Sequence, residues 1–395
     1  MKIAHICLSC FYIDNYSYQE NKLVSQHVKD GHDVVVIAST EVFDEYGNIS
    51  YTQASEYVGS DNATVHRLPY LNIFNHWISS KLRLYKGTIN ILERFQPDVI
   101  LFHGACALEL LRVTRYKEKH PSLQLFVDCH EDFNNSAKSF FSKWVLHWLI
   151  YRYALLKSLR HISKILCVTP ESIDFMNLFY GVPKNQTELF PLGGNIYSDD
   201  DYDIKRVLTR KEYGISNEKI VFLQSGKIDQ NKKLIESLES FKKTDNINFT
   251  FLVVGILMDD IKNEAVRLIE SDKRIQFLGW KDAKSLDGLL CSADFYLQPG
   301  SQSATLQHSL CNRCGIIVDN VKSHEIFKNN NGFFISNHDE LDKIFLEISK
   351  LSRPEINRLM DNSLVVARNI LDYKKLAQRI LVKEEIYKSI NFMKE

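Results

Sequence analysis

"KIVFLQSGKIDQNKKLIESLESF", residues 219–241, decides the fold. Its first six residues hold the apolar run "IVFL" (220–223) with β-branched members, the pattern of a strand buried on both faces. Gly226 interrupts that run, and a helical segment follows. A strand, a glycine turn and a helix together make the repeating unit of a doubly wound parallel sheet. Ligands of such sheets bind beyond the carboxyl ends of the strands. Gly226 and Lys227 fall at that end.

The same unit recurs in both directions. Downstream come "FTFLVVG" (249–255), "IQFLG" (275–279), "ADFYLQ" (293–298) and "GIIVD" (315–319), with helices between them. Upstream come "KIAHICL" (2–8), "DVVVIAS" (33–39), "DVILF" (98–102), "QLFVD" (124–128) and "KILCV" (164–168). The helical pattern "YQENKLVSQHVKDG" (18–31) ends on a glycine stop. The rhythm pauses at "NIYSDDDYDIKRV" (195–207), where acids cluster. The expected architecture is α/β, with two Rossmann-like domains facing a central cleft. Residues 1–197 and 205–371 are the expected domains, joined near 196–206. Residues 372–395 hold a helix expected to return to the first domain.

Composition agrees and excludes other classes. With 395 residues the chain is long enough for two cores. Lys+Arg and Asp+Glu are both 49, so no global field favours nucleic acid. The apolar run in "MKIAHICLSCF" is too short for a secretory signal, and no stretch approaches a membrane span. A cytoplasmic location is expected. The 8 cysteines suit reduced thiols. Cys7/Cys10 and Cys311/Cys314 have metal-like spacing, but they sit in a strand and near a helix end, so no metal site is expected.

The second half resembles the nucleotide-sugar domain of the family 4 retaining glycosyltransferases, which have the GT-B fold. The segment 225–241 is similar to that family's run of Gly-Arg, Lys-Gly and a helix ending Glu-Ala-Phe. The first half is similar to a subset of the family through "YQEN" (18–21), "DGHDVVVIAS" and "DCHEDFNNSA" (128–137). The resemblance implies transfer of a sugar from a nucleotide diphosphate to an acceptor hydroxyl. It implies no cofactor and no metal, a nucleotide sugar as donor and a saccharide or lipid-linked saccharide as acceptor.

The chemistry asks for cations where the leaving diphosphate gains charge. Lys227 stands at the family's Arg and Lys232 at its Lys; with Gly226 they form the expected diphosphate site. His130, just past a strand, is the expected contact to the donor sugar and reacting region. Asp132, Asn134 and Asn135 are expected to orient it or the acceptor. Tyr16, Ser17 and Gln19 in the first loop, together with His103, are expected on the acceptor side. Gly279 and Trp280 complete the expected donor contacts.

"QPGSQSATLQHSLCNRCG" (298–315) departs from the family, which carries two glutamates here. The stretch has no acid. Gln307 stands at the second Glu and is expected to accept a ribose hydrogen bond. Gly300, Ser301, Gln302, Ser303 and Thr305 are expected to present neutral donors to the diphosphate at a helix start. The departure keeps two alternatives open: a nucleotide-sugar epimerase on the same scaffold, and a catalytically silent nucleotide-sugar binder.

Residues 137–164, "AKSFFSKWVLHWLIYRYALLKSLRHISK", mix six basic residues with aromatics and contain no acid. Burial between layers is the preferred reading. Peripheral contact with an anionic membrane surface is the alternative.

Overall fold

The computed structural model describes residues 1–44, 48–72, 75–337 and 339–381. The chain divides into two compact units. One comprises Met1–Pro191 and the segment from Tyr373, the other Leu192–Asp372.

The first unit is built on an eight-stranded sheet. Its order is Thr187–Leu189, Lys164–Cys167, Gln124–Cys129, Val99–Phe102, Lys2–Cys7, Asp33–Ser39, Thr64–Leu68 and Ser55–Val58. All neighbours pair in parallel except the last two. The chain runs outward from Lys2–Cys7 in one direction and then resumes at Val99–Phe102 on its other side, so a topological switch point lies between these two strands. Both faces are covered, as the unbroken apolar runs require. Ala4, Ile6, Ile100 and Val127 pack under Leu92, Leu110, Val113 and Leu155. Leu101, Phe126 and Leu166 face Leu23 together with Tyr373, Leu376, Ala377 and Ile380. The returning helix is therefore real, spanning Tyr373–Arg379. The remainder of the expected segment, from residue 382, lies outside the described residues.

The second unit holds six parallel strands in the order Ile275–Phe277, Phe249–Leu257, Ile220–Ile228, Phe295–Gln298, Gly315–Asp319 and Gly332–Ile335. Its switch point lies between Ile220–Ile228 and Phe295–Gln298. Alternate residues face opposite helix layers. Phe222, Phe251 and Phe295 meet Leu238, Phe241 and Phe345, while Leu223, Leu252 and Tyr296 meet Leu289, Leu306 and Leu310.

One boundary differs from expectation. The acidic stretch near 196–206 is not a linker. Ser198 caps a 14-residue helix, Asp199–Glu212, whose first turn holds Asp199, Asp200 and Asp201. Acids there offset the positive end of the helix dipole and the unpaired N–H groups. Tyr202 and Arg210 are buried, so this helix belongs to the second unit's core.

Candidate active-site residues in each unit

In the second unit the expected donor residues gather at the carboxyl end of the sheet. Gly226 and Gly255 are cross-strand partners, both at φ 133. A Cβ on Gly255 would lie 1.9 Å from the Gly226 carbonyl oxygen, so Gly255 must be glycine; Gly226 has open space beside it and is favoured as glycine by its positive φ alone. The Gly255 N–H donates to the Gly279 carbonyl at 2.8 Å, and Trp280 beyond it is 68% exposed. Lys227 is exposed at the strand's end. Lys232 Nζ donates to the Ser301 and Gln302 carbonyls at 2.8 and 2.9 Å. The Ser301 N–H donates to the Asn231 carbonyl at 2.9 Å. The turn after the first strand and the loop after the fourth are thus one knitted surface.

That geometry corrects three expectations. Gly300 was expected to admit a phosphate. Its open side instead faces the Asn231 carbonyl oxygen, which a Cβ would approach to 2.0 Å. The glycine serves loop-on-turn packing. The helix start is also less open than expected. The helix is only Thr305–Cys311, the Thr305 N–H is taken by Ser303 Oγ, and the Leu306 N–H by the Ser303 carbonyl. Gln302 donates its amide to Ser323 Oγ. Gln307 is nearly buried. The Ser303 and Ala304 carbonyls beside its amide can only accept, so its nitrogen faces them, at 3.2 and 3.0 Å. Only its carbonyl oxygen remains for a ribose. Close by in the fold, Gln224 Nε2 donates to the Lys232 carbonyl at 2.7 Å. Gln224 Oε1, midway along its strand, and Gln298 Oε1, at the end of the neighbouring strand, are buried acceptors with no partner among the described residues.

In the first unit, His130 follows the strand Gln124–Cys129. Its Nε2 lies 3.7 Å from Asp128 Oδ2, and its side chain is 33% exposed. The loop is pinned locally. Asp132 Oδ1 accepts the Asn134 and Asn135 N–H groups, and Asn135 Nδ2 donates to the His130 carbonyl. Asp132 was expected to orient His130 or the acceptor; it closes the turn instead, and Asp128 is the carboxylate beside the ring. His103 was expected to meet an acceptor. It is fully buried, with one ring nitrogen on His5 and the other 2.5 Å from Asp128 Oδ2. Gln19 is also buried, its amide reaching the Pro191 carbonyl. Tyr16 remains 46% exposed, its ring tilted against Tyr18 and Phe43, and Ser17 is half-buried.

Burial opposes charge on these imidazoles, but Asp128 overrides it for two of them. It lifts His103 to about 10 and His130 to about 9. Burial raises the Asp128 carboxyl, yet His103 and then His130 hold it well below the usual range. Burial dominates at His5, lowered well below the ordinary value, and at His27, lowered to about 4.

These opposite shifts predict a pH optimum of stability. His103 and His130 bind protons more tightly folded than unfolded, so their contribution is full below about pH 6.5 and is lost as pH rises through their folded values. His5 and His27 resist protonation, so the unfolded chain binds more protons as pH falls below about 6.5, and stability falls again. Urea denaturation should show an alkaline decline that is shallower in His103→Gln than in the parent. Equal slopes would refute the assignment.

Residues 137–164 are not buried between layers. Phe141–Tyr151 is wound as a π-helix that continues into Arg152–Ser158. Leu146, His147, Tyr151 and Leu155 face inward, while Phe140, Trp144, Trp148, Leu149 and Tyr153 are exposed. Lys143 lies over Trp144 and Arg152 over Trp148. Among the described residues, no helix is long and apolar enough to cross a membrane.

The sequence reasoning missed His5 and His27. The available signal was a histidine inside an apolar strand, "KIAHICL", and another on the buried stripe of the next helix with Leu23 and Val24.

Residues 22–196 match the family model Glycosyltransferase Family 4. Among curated proteins, none matches the chain. The fold is similar to sucrose-phosphate synthase from Thermosynechococcus elongatus, at 12% identity, TM-score 0.66 and 100% of both chains. It is similar to Anabaena HepE, solved in complex with UDP, at 13% identity and TM-score 0.64, over 98% of this chain and 100% of that one. A glycosyltransferase from Rickettsia africae gives 15% identity and TM-score 0.66, over 98% of each chain. Residues 22–196 thus match a Family 4 glycosyltransferase domain, and the chain as a whole has the GT-B fold of these solved structures.

Proposed function

We propose that the chain transfers a sugar from a nucleotide diphosphate donor to an acceptor hydroxyl with retention of configuration, in assembly of a cell-surface polysaccharide or glycolipid. The observation that carries this is the carboxyl end of the second sheet. There an exposed lysine and a lysine-bound loop meet at the topological switch point, next to a glycine pair on the other side of the same strand. Lys227 is the cation for the diphosphate. Lys232 shapes the loop beside it. The loop's lack of acids suits a phosphate better than glutamates would. The unpartnered Gln224 and Gln298 oxygens offer acceptors to N–H or O–H groups of the donor.

His130 is charged at neutral pH, since Asp128 raises it to about 9. It therefore acts as a donor to a sugar hydroxyl or the leaving group, not as the base that takes the acceptor proton. HepE was solved with UDP, so uridine diphosphate sugars are the first donors to offer.

The test is nucleotide diphosphate release with and without a saccharide acceptor. Release that depends on acceptor supports transfer. Sugar interconversion without release would mean an epimerase, and binding alone a silent protein. With cations of the chain itself on the phosphates, turnover should survive EDTA. Full loss, restored by a divalent ion, would overturn the metal-free assignment.

The exposed aromatic and basic face of 140–157 suits an anionic bilayer, where a lipid-linked acceptor would reside. Phosphatidylglycerol vesicles should sediment the protein, and phosphatidylcholine vesicles should not. Replacing Trp144 and Trp148 by serine should weaken sedimentation at least tenfold. Unchanged binding would remove this surface from consideration.

A further inference from the structure

Three histidines distant in sequence form one buried line in the first unit. His27 Nε2 lies 3.0 Å from the Ala377 carbonyl of the returning helix. His27 Nδ1 lies 2.9 Å from His5 Nε2, and His5 Nδ1 lies 2.9 Å from His103 Nε2. His103 Nδ1 ends the line on Asp128 Oδ2, whose other oxygen accepts the Gly104 N–H at 2.6 Å. All three rings are fully buried, and every ring nitrogen is in contact with a partner. Buried imidazoles in an apolar layer are costly unless paired. A line with no gap along its length is unlike three separately tolerated residues.

The hydrogens can be counted. Four contacts join the line, and each needs one hydrogen. The Ala377 carbonyl can only accept, so His27 carries its proton on Nε2 and offers Nδ1 to the next ring. The direction then propagates: His5 donates from Nε2 and accepts at Nδ1, and His103 donates from Nε2. His103 must also donate from Nδ1 if Asp128 is ionised. Three neutral imidazoles supply three hydrogens, so the line closes only with one surplus proton, held by His103 beside the carboxylate. Asp128 is also the group 3.7 Å from His130.

We propose that His27, His5 and His103 are positioning residues that hold one surplus proton against Asp128 and so set the charge and orientation of His130. The inference rests on His130 being a site residue. With His103 charged, Asp128 is already half satisfied, and its pull on His130 is moderated. Without that cation Asp128 would grip His130 harder, fixing it as an imidazolium turned inward. The opposite shifts of the neutral and charged members fit this arrangement. Other groups facing the line are Cys7 on the first strand, Glu20, Asp30 and His32 around the first helix, and Glu131 beside His130. None of them supplies a hydrogen bond to the three rings; the returning helix contributes the Ala377 carbonyl.

Nitrogen-15 NMR of histidine-labelled full-length protein tests this without any substrate. In the parent at neutral pH, His103 should be doubly protonated, and His5 and His27 neutral with the proton on Nε2. His103→Gln should raise the titration midpoint of His130 by about one pH unit, a tenfold gain in proton affinity. His27→Gln retains one donor and one acceptor and should leave His130 where it was. Should His103→Gln fail to fold, His27→Leu serves. Two contacts then remain, two neutral rings fill them, and His103 should release its surplus proton at lower pH while His130 moves up. A singly protonated His103 in the parent, or a His130 midpoint unmoved in the variant that folds, overturns the proposal. Because no turnover is measured, a failure of the sugar-transfer reading would not be mistaken for a failure of the line.

Discussion

Replacing Asp294 by alanine is expected to cost the second unit about 3–5 kcal/mol, enough to unfold most domains of this size at modest urea. Asp294 is fully buried at the amino end of its strand, opposite the candidate site. Three guanidinium groups converge on it. Arg206 and Arg353 reach Oδ1 at 2.6 and 2.8 Å, and Arg210 reaches Oδ2 at 2.9 Å, alongside the Val221 N–H. The same arginines donate to the Cys291, Ala293, Ser292 and Lys219 carbonyls. One carboxylate therefore ties two helices of the second unit, Asp199–Glu212 and Arg353–Val366, to the starts of two strands. Alanine would leave a nearly buried Arg210 with its neighbours and no counter-charge. Arg353, a third exposed, should cost much less when replaced by methionine. The arginines hold the Asp294 carboxyl below its ordinary value against burial, which raises it. Its contribution is thus present above about pH 3.9 and is lost as pH falls below that. Equal urea midpoints for Asp294→Ala and the parent would show that the cluster is ornamental.

The two sheets were legible because parallel strands buried on both faces leave long apolar runs, and nothing else in a chain of this composition does. Gly226, Lys227 and Lys232 were legible because a glycine turn between strand and helix has a known ligand-facing end. What stayed hidden depends on which distant strands become neighbours. His5 meets His103 across 98 positions and His27 across 22, and no local pattern announces either pair. Gly300 could be recognised as a close approach, but the approaching group, the Asn231 backbone, follows from the loop folding onto the preceding turn. The acidic stretch at 199–201 read as a pause, because a charged helix start and a linker share a composition. Residues 137–164 read as buried because apolar side chains surround much of the helix, but composition does not say which of them find a partner, and Trp144, Trp148 and Leu149 stay exposed.

Lys227→Ala should lower turnover by roughly ten- to a thousandfold, the scale of losing one stabiliser of transition-state charge. The largest of these losses corresponds to about 4 kcal/mol of barrier. Stability should scarcely change, because the side chain is exposed near the end of its strand. Lys227→Arg keeps the charge and adds the fork found in the resembling family, so it should retain most of the activity. Lys232 sat beside Lys227 in the sequence argument as a second equal cation, and the structure separates them. Its ammonium is already bound to the Ser301 and Gln302 carbonyls, and its own carbonyl accepts from Gln224. Lys232→Ala should therefore reduce turnover by loosening the loop. The loss should come with faster hydrogen exchange across 299–305, a change that Lys227→Ala should not produce. Lys232→Arg cannot place two donors on the same two carbonyls from the same depth, and should behave like the alanine variant where Lys227→Arg does not. If both alanine variants slow turnover without altering exchange in the loop, both lysines reach the diphosphate directly and the separation of their roles is wrong. If Lys227→Ala turns over normally with a diphosphate donor, the leaving group is neutralised elsewhere in the chain.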